Sequence, residues 1–303
     1  MSNRVFAGVL TLCLLLLIPS TLAAGQSTLQ TPWGHPDLQG TWSNSTTTPM
    51  ERPADLEGRE FLTEEERAAR NPDSGFSTEI PSEIMPTGAY NDFWLEQGEL
   101  STQTSLIVDP PDGRYPPLTP EAERRRREQR GSFANGGFSS WEDFSTYDRC
   151  LTRGMPGAMS PGFYNHNYQI FQTPDHVVIL VEMIHDARII PLGGRASLSQ
   201  EAEQWLGDSR GRWEGDTLVI ETTNLPASDR HVIERLTRVD TDTIDYRITV
   251  IDPAEWTGTW TAAMPMSAIE GPLFEYACHE GNYAVPNMLA GSRADERVAS
   301  EGW

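Results

Sequence analysis

The chain has 303 residues, 38% of them hydrophobic and 9% aromatic, enough to bury a substantial core. Its 44 acidic residues outnumber 23 basic ones, and this net charge of −21 repels nucleic acid and anionic membranes. Every basic side chain is an arginine, which excludes a Schiff-base lysine, a Walker-type lysine and a Ser-Lys dyad.

Residues 1–24 read as a secretory signal. Arg4 supplies the positive start, Val5–Ile18 the apolar run, and Thr21-Leu22-Ala23-Ala24 the small residues for cleavage. The run is short for a membrane span, and no other stretch is long and apolar enough to cross a bilayer. The expected location is periplasmic or secreted. Cys13 departs with the signal, and in an oxidising compartment Cys150 and Cys278 are expected to pair. Two buried free thiols are the alternative. The bridge would close a loop of roughly 130 residues.

Residues 25–162 are expected to give a first strand, loops and short helices that wrap a barrel. Asp37–Trp42 is the first strand, and its Gly40-Thr41-Trp42 loosely resembles a lipocalin opening. Ser43–Pro53 is a loop. Leu62–Arg70 is a short helix with Thr63 as cap and Glu66 as capping-box acid. Asn71–Gly88 is a linker, and Tyr90–Leu95 an aromatic helical turn. Thr104–Val108 is a strand. A second helix starts at Thr119-Pro120-Glu121, with proline in its first turn, and runs through Arg124–Arg127. That arginine run, isolated in an acidic protein, reads as a solvated face. Gly131–Asp148 is loop-like.

Residues 163–303 are expected to form the barrel core with a C-terminal tail. Tyr168–Thr173, Val177–Met183 and Ala187–Leu192 make a tight antiparallel meander, bounded by Pro174-Asp175 and Gly193-Gly194. Trp205–Arg212, Asp216–Thr222, Val232–Val239, Thr243–Ile251, Trp256–Met266 and Leu273–Cys278 continue the strands. In Thr243–Ile251 the alternation is clean, with Ile244, Tyr246, Ile248 and Val250 on one face. Asn282–Trp303 is the tail. The fold class is mainly β: an antiparallel up-and-down β-barrel of about eight strands, lipocalin- or calycin-like, with a sandwich as rival.

The stretches TPWGHPDLQGTW, TSLIVDPPDGR, NYQIFQTPDHVVILVEMIHDARIIPL, WLGDSRGRWEGDTLVIETTN and GPLFEYACHEGNY together resemble a large group of secreted bacterial proteins of uncharacterised function. The resemblance spans most of the mature chain and implies no transferable activity.

Four clusters could carry chemistry. In the first, His185, Asp186 and Arg188 put a base, its orienter and an anion clamp at one strand end. Ideal alternation places Asp186 and Arg188 on one face and His185 on the other. A bulge at Ile184–Asp186 would change that. In the second, His279 and Glu280 adjoin Cys278, and His185 and His279 are expected to act as base and acid, oriented by Asp186 and Glu280. The third, Asn165, His166 and Tyr168, and the fourth, Arg210 and Trp213, suit a polar ligand, as does Tyr283. Structural alternatives stand beside each: a surface pair at a turn, an exposed strand-end histidine, an Asn-rich turn and a hairpin turn. Ser209 lacks a Gly-x-Ser-x-Gly elbow. No His-x-His or His-Glu-x-x-His spacing exists, and neither metal nor cofactor is expected.

The resulting expectation is an exported enzyme performing cofactor-free acid–base chemistry on a small organic molecule: isomerisation, elimination or hydrolysis. The alternative is a lipocalin-like carrier for an apolar or aromatic molecule, and a structural envelope role is a third. The polar density of the pocket separates enzyme from carrier.

Overall fold

The computed structural model describes residues 29–70, 96, 98–128 and 138–301. Eleven short strands join in one antiparallel sheet. They are β1 (Gly40–Ser43), β2 (Ile107–Asp109), β3 (Asn167–Gln172), β4 (His176–Val181), β5 (Ala187–Pro191), β6 (Asp208–Glu214), β7 (Thr217–Thr223), β8 (His231–Arg238), β9 (Thr243–Ile251), β10 (Trp260–Ala263) and β11 (Met266–Ala268).

The order is β5-β4-β3-β1-β11-β9-β8-β7-β6, with β10 lying between β2 and β9. Runs β3–β5 and β6–β9 go up and down between neighbours. The expected first strand sits between β3 and β11, so the N-terminal wrapping contributes to the wall itself. Strands β10 and β11 pair with successive parts of β9, at Trp260–Val250 and Met266–Ile244. That splitting, together with β1 and β2, raises the count above the expected eight or so.

The ends of the sheet, β5 and β6, meet at a parallel bridge between Leu192 and Gly211, which nearly closes the barrel. The approach depends on glycine: a Cβ at Gly211 would stand 2.6 Å from Leu192 Cδ2 and 3.0 Å from Ile190 Cγ2.

Alternation along the strands decides what fills the barrel. Ile244, Tyr246, Ile248 and Val250 of β9 are buried, and Asp245, Arg247 and Thr249 face outward. With Trp42, Tyr168, Ile179, Ile190, Leu218 and Ile220 they make one packed core, each large side chain adding about 1.5–3 kcal/mol of apolar burial. The lumen is therefore filled, and function has to be sought in the wall and at the rims.

Helix α1 (Glu64–Arg70) has the expected capping box. The Glu66 N–H donates to Thr63 Oγ1 at 3.2 Å, and the Thr63 N–H to Glu66 Oε2 at 2.9 Å. Helix α2 (Pro120–Glu128) begins at its proline. Its arginines form a solvated face, with Arg125 and Arg126 both paired to Glu255.

The C-terminal region departs from expectation. Leu273–Cys278 is not a strand. Its Phe274 N–H donates to Glu182 Oε1 at 2.7 Å, and it leads into α3 (Cys278–Gly281). Pro272 before it lacks the N–H a ladder needs. The expected tail is helix α4 (Ala284–Glu301). Its Pro286 is tolerated because it falls in the first turn. Cys150 and Cys278 are disulfide-bonded, with Cα atoms 5.7 Å apart. Among the described residues no helix is long and apolar enough to cross a membrane. The linker and aromatic turn expected over 71–95 lie outside the described residues.

Candidate functional site

The turn Met183–His185 between β4 and β5 has two consecutive left-handed residues, Ile184 at φ 64° and His185 at φ 48°. For a β-branched residue that conformation is strained, and it re-aims everything after it. His185 is exposed, with Nδ1 3.3 Å from the Tyr276 carbonyl oxygen. Asp186 and Arg188 line one cavity, together with the intervening Ala187 and the following Ile189.

That cavity, of about 220 Å³, lies on the seam between β5 and β6. Asp186, Arg188, Gln204, Trp205, Gly207 and Ser209 are among its lining residues. Gly207, at φ 74°, lets the 204–207 turn press on β7; a Cβ there would lie 2.5 Å from both Thr222 Cγ2 and the Thr223 carbonyl oxygen. The Gln204 N–H donates to the Asn224 carbonyl at 2.9 Å and anchors the turn. Trp205 is left half exposed at the mouth.

Behind the cavity five strands each contribute one buried polar side chain. Arg188 Nη1 donates to Glu234 Oε1 at 2.9 Å, and Nη2 to Glu234 Oε2. Tyr246 donates its hydroxyl to Glu234 Oε1 at 2.9 Å. Arg188 Nη2 also reaches Ser209 Oγ and Thr222 Oγ1, both at 3.3 Å, and those two hydroxyls are 2.8 Å apart. Arg188 Nε is buried and, among the described residues, has no hydrogen-bond partner. Burial opposes the guanidinium charge, but Glu234 outweighs it and the pKa of Arg188 is raised. Burial, reinforced by Glu234, lifts Tyr246 well above the ordinary phenol range. Burial also raises the Asp186 carboxyl, against a hydrogen bond from Thr152.

A second cluster lies at the barrel end where β3 begins. Asn165 is left-handed, at φ 50°, and buried. His166 is buried beside Arg153 and donates Nδ1–H to the Tyr164 carbonyl at 2.6 Å. Burial first, and Arg153 second, push its pKa down to about 4, so the ring is neutral near pH 7. Tyr168 donates its hydroxyl to Asn44 Oδ1 at 3.3 Å and is fully buried, out of reach of a ligand. Asn167 Nδ2 donates to Glu96 Oε1 at 3.2 Å and to Glu182 Oε2 at 2.8 Å. Glu96 and Asn167 stand on the wall of a groove of about 710 Å³.

The remaining expected site residues do not line the seam cavity, although the stretch leading to His279 and Glu280 lies against His185 and, with Asn165, lines a separate cavity of about 310 Å³. His279 and Glu280 are exposed on α3, outside the seam cavity. Arg210 pairs with Asp208 at 2.5 Å and donates to the Ala196 carbonyl. Trp213 stacks on His35 with ring centroids 4.9 Å apart. Tyr283 is 71% exposed. Sequence reasoning missed Glu234, Thr222, Trp205, Glu96 and Glu182. Only Glu234 had a legible signal, an acid at an inward position of β8 between Val232 and Leu236.

Among the described residues no three His, Cys, Asp or Glu side chains are grouped to hold a metal ion. Comparisons with protein-family models, with curated proteins and with solved structures find no match.

Proposed function

We propose that the protein is an exported enzyme performing cofactor-free acid–base chemistry on a small carbonyl compound in the seam cavity. The observation that carries this reading is the convergence of Asp186 and Arg188 on one cavity, with the guanidinium already fixed from behind. Nη1 and Nη2 are engaged by Glu234, Ser209 and Thr222, and Nε–H, buried and unpartnered among the described residues, becomes a donor for a substrate oxygen only when the seam opens. A rigid, desolvated donor of this kind stabilises a developing oxyanion without reorganising. Asp186, kept protonated more readily by burial, supplies a proton to that oxygen or to a leaving group. Trp205 offers an apolar wall.

The substrate is small and uncharged. The cavity is below the roughly 300–1,000 Å³ of sites for drug-sized ligands. Glu234 already neutralises Arg188, and the acidic surface lowers the local concentration of anions. Esters, lactones, amides and ketones fit these terms. The second reading is a carrier for the same class of molecule, favoured by the half-exposed Trp205 as a binding platform.

Turnover of small neutral esters, lactones and ketones by the wild type and Asp186→Asn, followed by NMR, tests the proposal. Removing a general acid costs about 10²-fold or more in rate, with circular dichroism unchanged. Equal turnover in both proteins removes Asp186 from the chemistry and overturns the enzyme reading. Quenching of Trp205 fluorescence by these compounds, with no turnover in the wild type, establishes the carrier instead.

A further inference from the structure

We infer that Glu96, Asn167 and Glu182 form a divalent-cation site, suited to calcium, at the barrel end. Glu182 is 2% exposed and Glu96 half buried, and one amide nitrogen bridges their carboxylates. Among the described residues neither carboxylate is ion-paired to an arginine or a histidine. Their hydrogen bonds come from Asn167 Nδ2, the Phe274 N–H and backbone N–H groups at 96 and 166. Two adjacent carboxylates, one buried and one half buried, are costly to keep ionised, and a cation or a proton between them offsets that cost.

The amide points to what that partner is. Asn167 is 9% exposed and aims its Nδ2 between the carboxylates, and among the described residues its Oδ1 has no hydrogen-bond partner. Glu96 Oε2 is likewise buried and unpartnered. Turning the amide over exchanges its oxygen and nitrogen and presents Oδ1 to a cation held by both carboxylates. The donors are then all oxygen: two carboxylates and an amide. Hard cations take such a set, and with no thiolate or imidazole in it zinc and copper are disfavoured. Magnesium demands near-ideal octahedral geometry, whereas calcium accepts an irregular shell of six to eight oxygens. The groove of about 710 Å³ beside Asn167 admits the waters that complete it.

The cation would fasten the N-terminal wrapping to the barrel, because Glu96 belongs to the former and Asn167 and Glu182 to the ends of β3 and β4. No step of the chemistry proposed at the seam depends on it.

Calorimetric titration of the EDTA-treated mature protein with CaCl₂ and with MgCl₂ tests the site, supported by terbium luminescence. The expected result is one calcium site with Kd on the order of 10⁻⁴–10⁻³ M, the range of extracellular modules, and weaker magnesium binding. Glu96→Gln, at a half-buried position, weakens calcium binding at least tenfold, while Glu99→Gln on the same groove leaves it unchanged. Absence of binding up to about 10 mM calcium overturns the inference. So does equal weakening by both variants, which marks diffuse attraction to an acidic surface.

Discussion

Replacing Glu234 by Leu tests whether the belt behind the seam is held by a buried charge pair. The Arg188 and Glu234 side chains are 1% and 0% exposed. Removing the carboxylate leaves the Arg188 charge buried without a partner, which costs about 3–5 kcal/mol. Tyr246 loses its acceptor as well, adding about 1–3 kcal/mol. The combined loss of about 4–8 kcal/mol is comparable to the whole stability of an ordinary domain, about 5–15 kcal/mol. Urea unfolding with the disulfide intact, followed by circular dichroism and tryptophan fluorescence, measures it. The double variant Arg188→Met with Glu234→Leu removes both charges and recovers most of the loss, because an apolar pair of similar volume avoids the desolvation cost. A single-variant loss below about 1 kcal/mol, or a double variant no better than the single, refutes the reasoning.

Acid sensitivity follows from His166, whose folded-state pKa of about 4 lies below the ordinary imidazole value. The unfolded chain takes up a proton there that the folded one refuses, so stability falls as pH drops from about 6.5 to about 4, by about 3 kcal/mol. His166→Gln flattens that slope in urea midpoints taken across the window, and an unchanged slope assigns the effect elsewhere. Cys150→Ser with Cys278→Ser opens a bridge spanning 128 residues and lowers unfolding free energy by about 5 kcal/mol in the chain-entropy model. A loss below about 1 kcal/mol in urea unfolding shows that the reduced chain is already constrained.

What the sequence disclosed was mostly local. Period-two alternation marked β9, turn residues marked the meander, and Thr63 with Glu66 marked the start of α1. It also singled out Asp186 and Arg188, which line one cavity. Partners distant in sequence were hidden. Glu234 is 46 residues from Arg188, and Glu96 is 71 from Asn167, and no spacing rule links either pair. The imidazoles of His185 and His279 drew notice as chemical types, but the strained turn at Ile184 leaves the first outside the seam, and α3 leaves the second on the surface. Helix α4 was missed although Val285, Met288 and Leu289 recur at helical spacing; Pro286 and Gly291 masked the pattern.

The bridge at Leu192 and Gly211 makes the barrel wall a bracelet with a clasp. Along β6 to β9, opening means parting a full ladder of paired strands; at this line, as at the two-residue pairings of β11 with β1 and β9, fewer bonds hold. Opening along this line would uncover the Arg188 guanidinium. A thin join in the wall is thus also the door to its most polar interior.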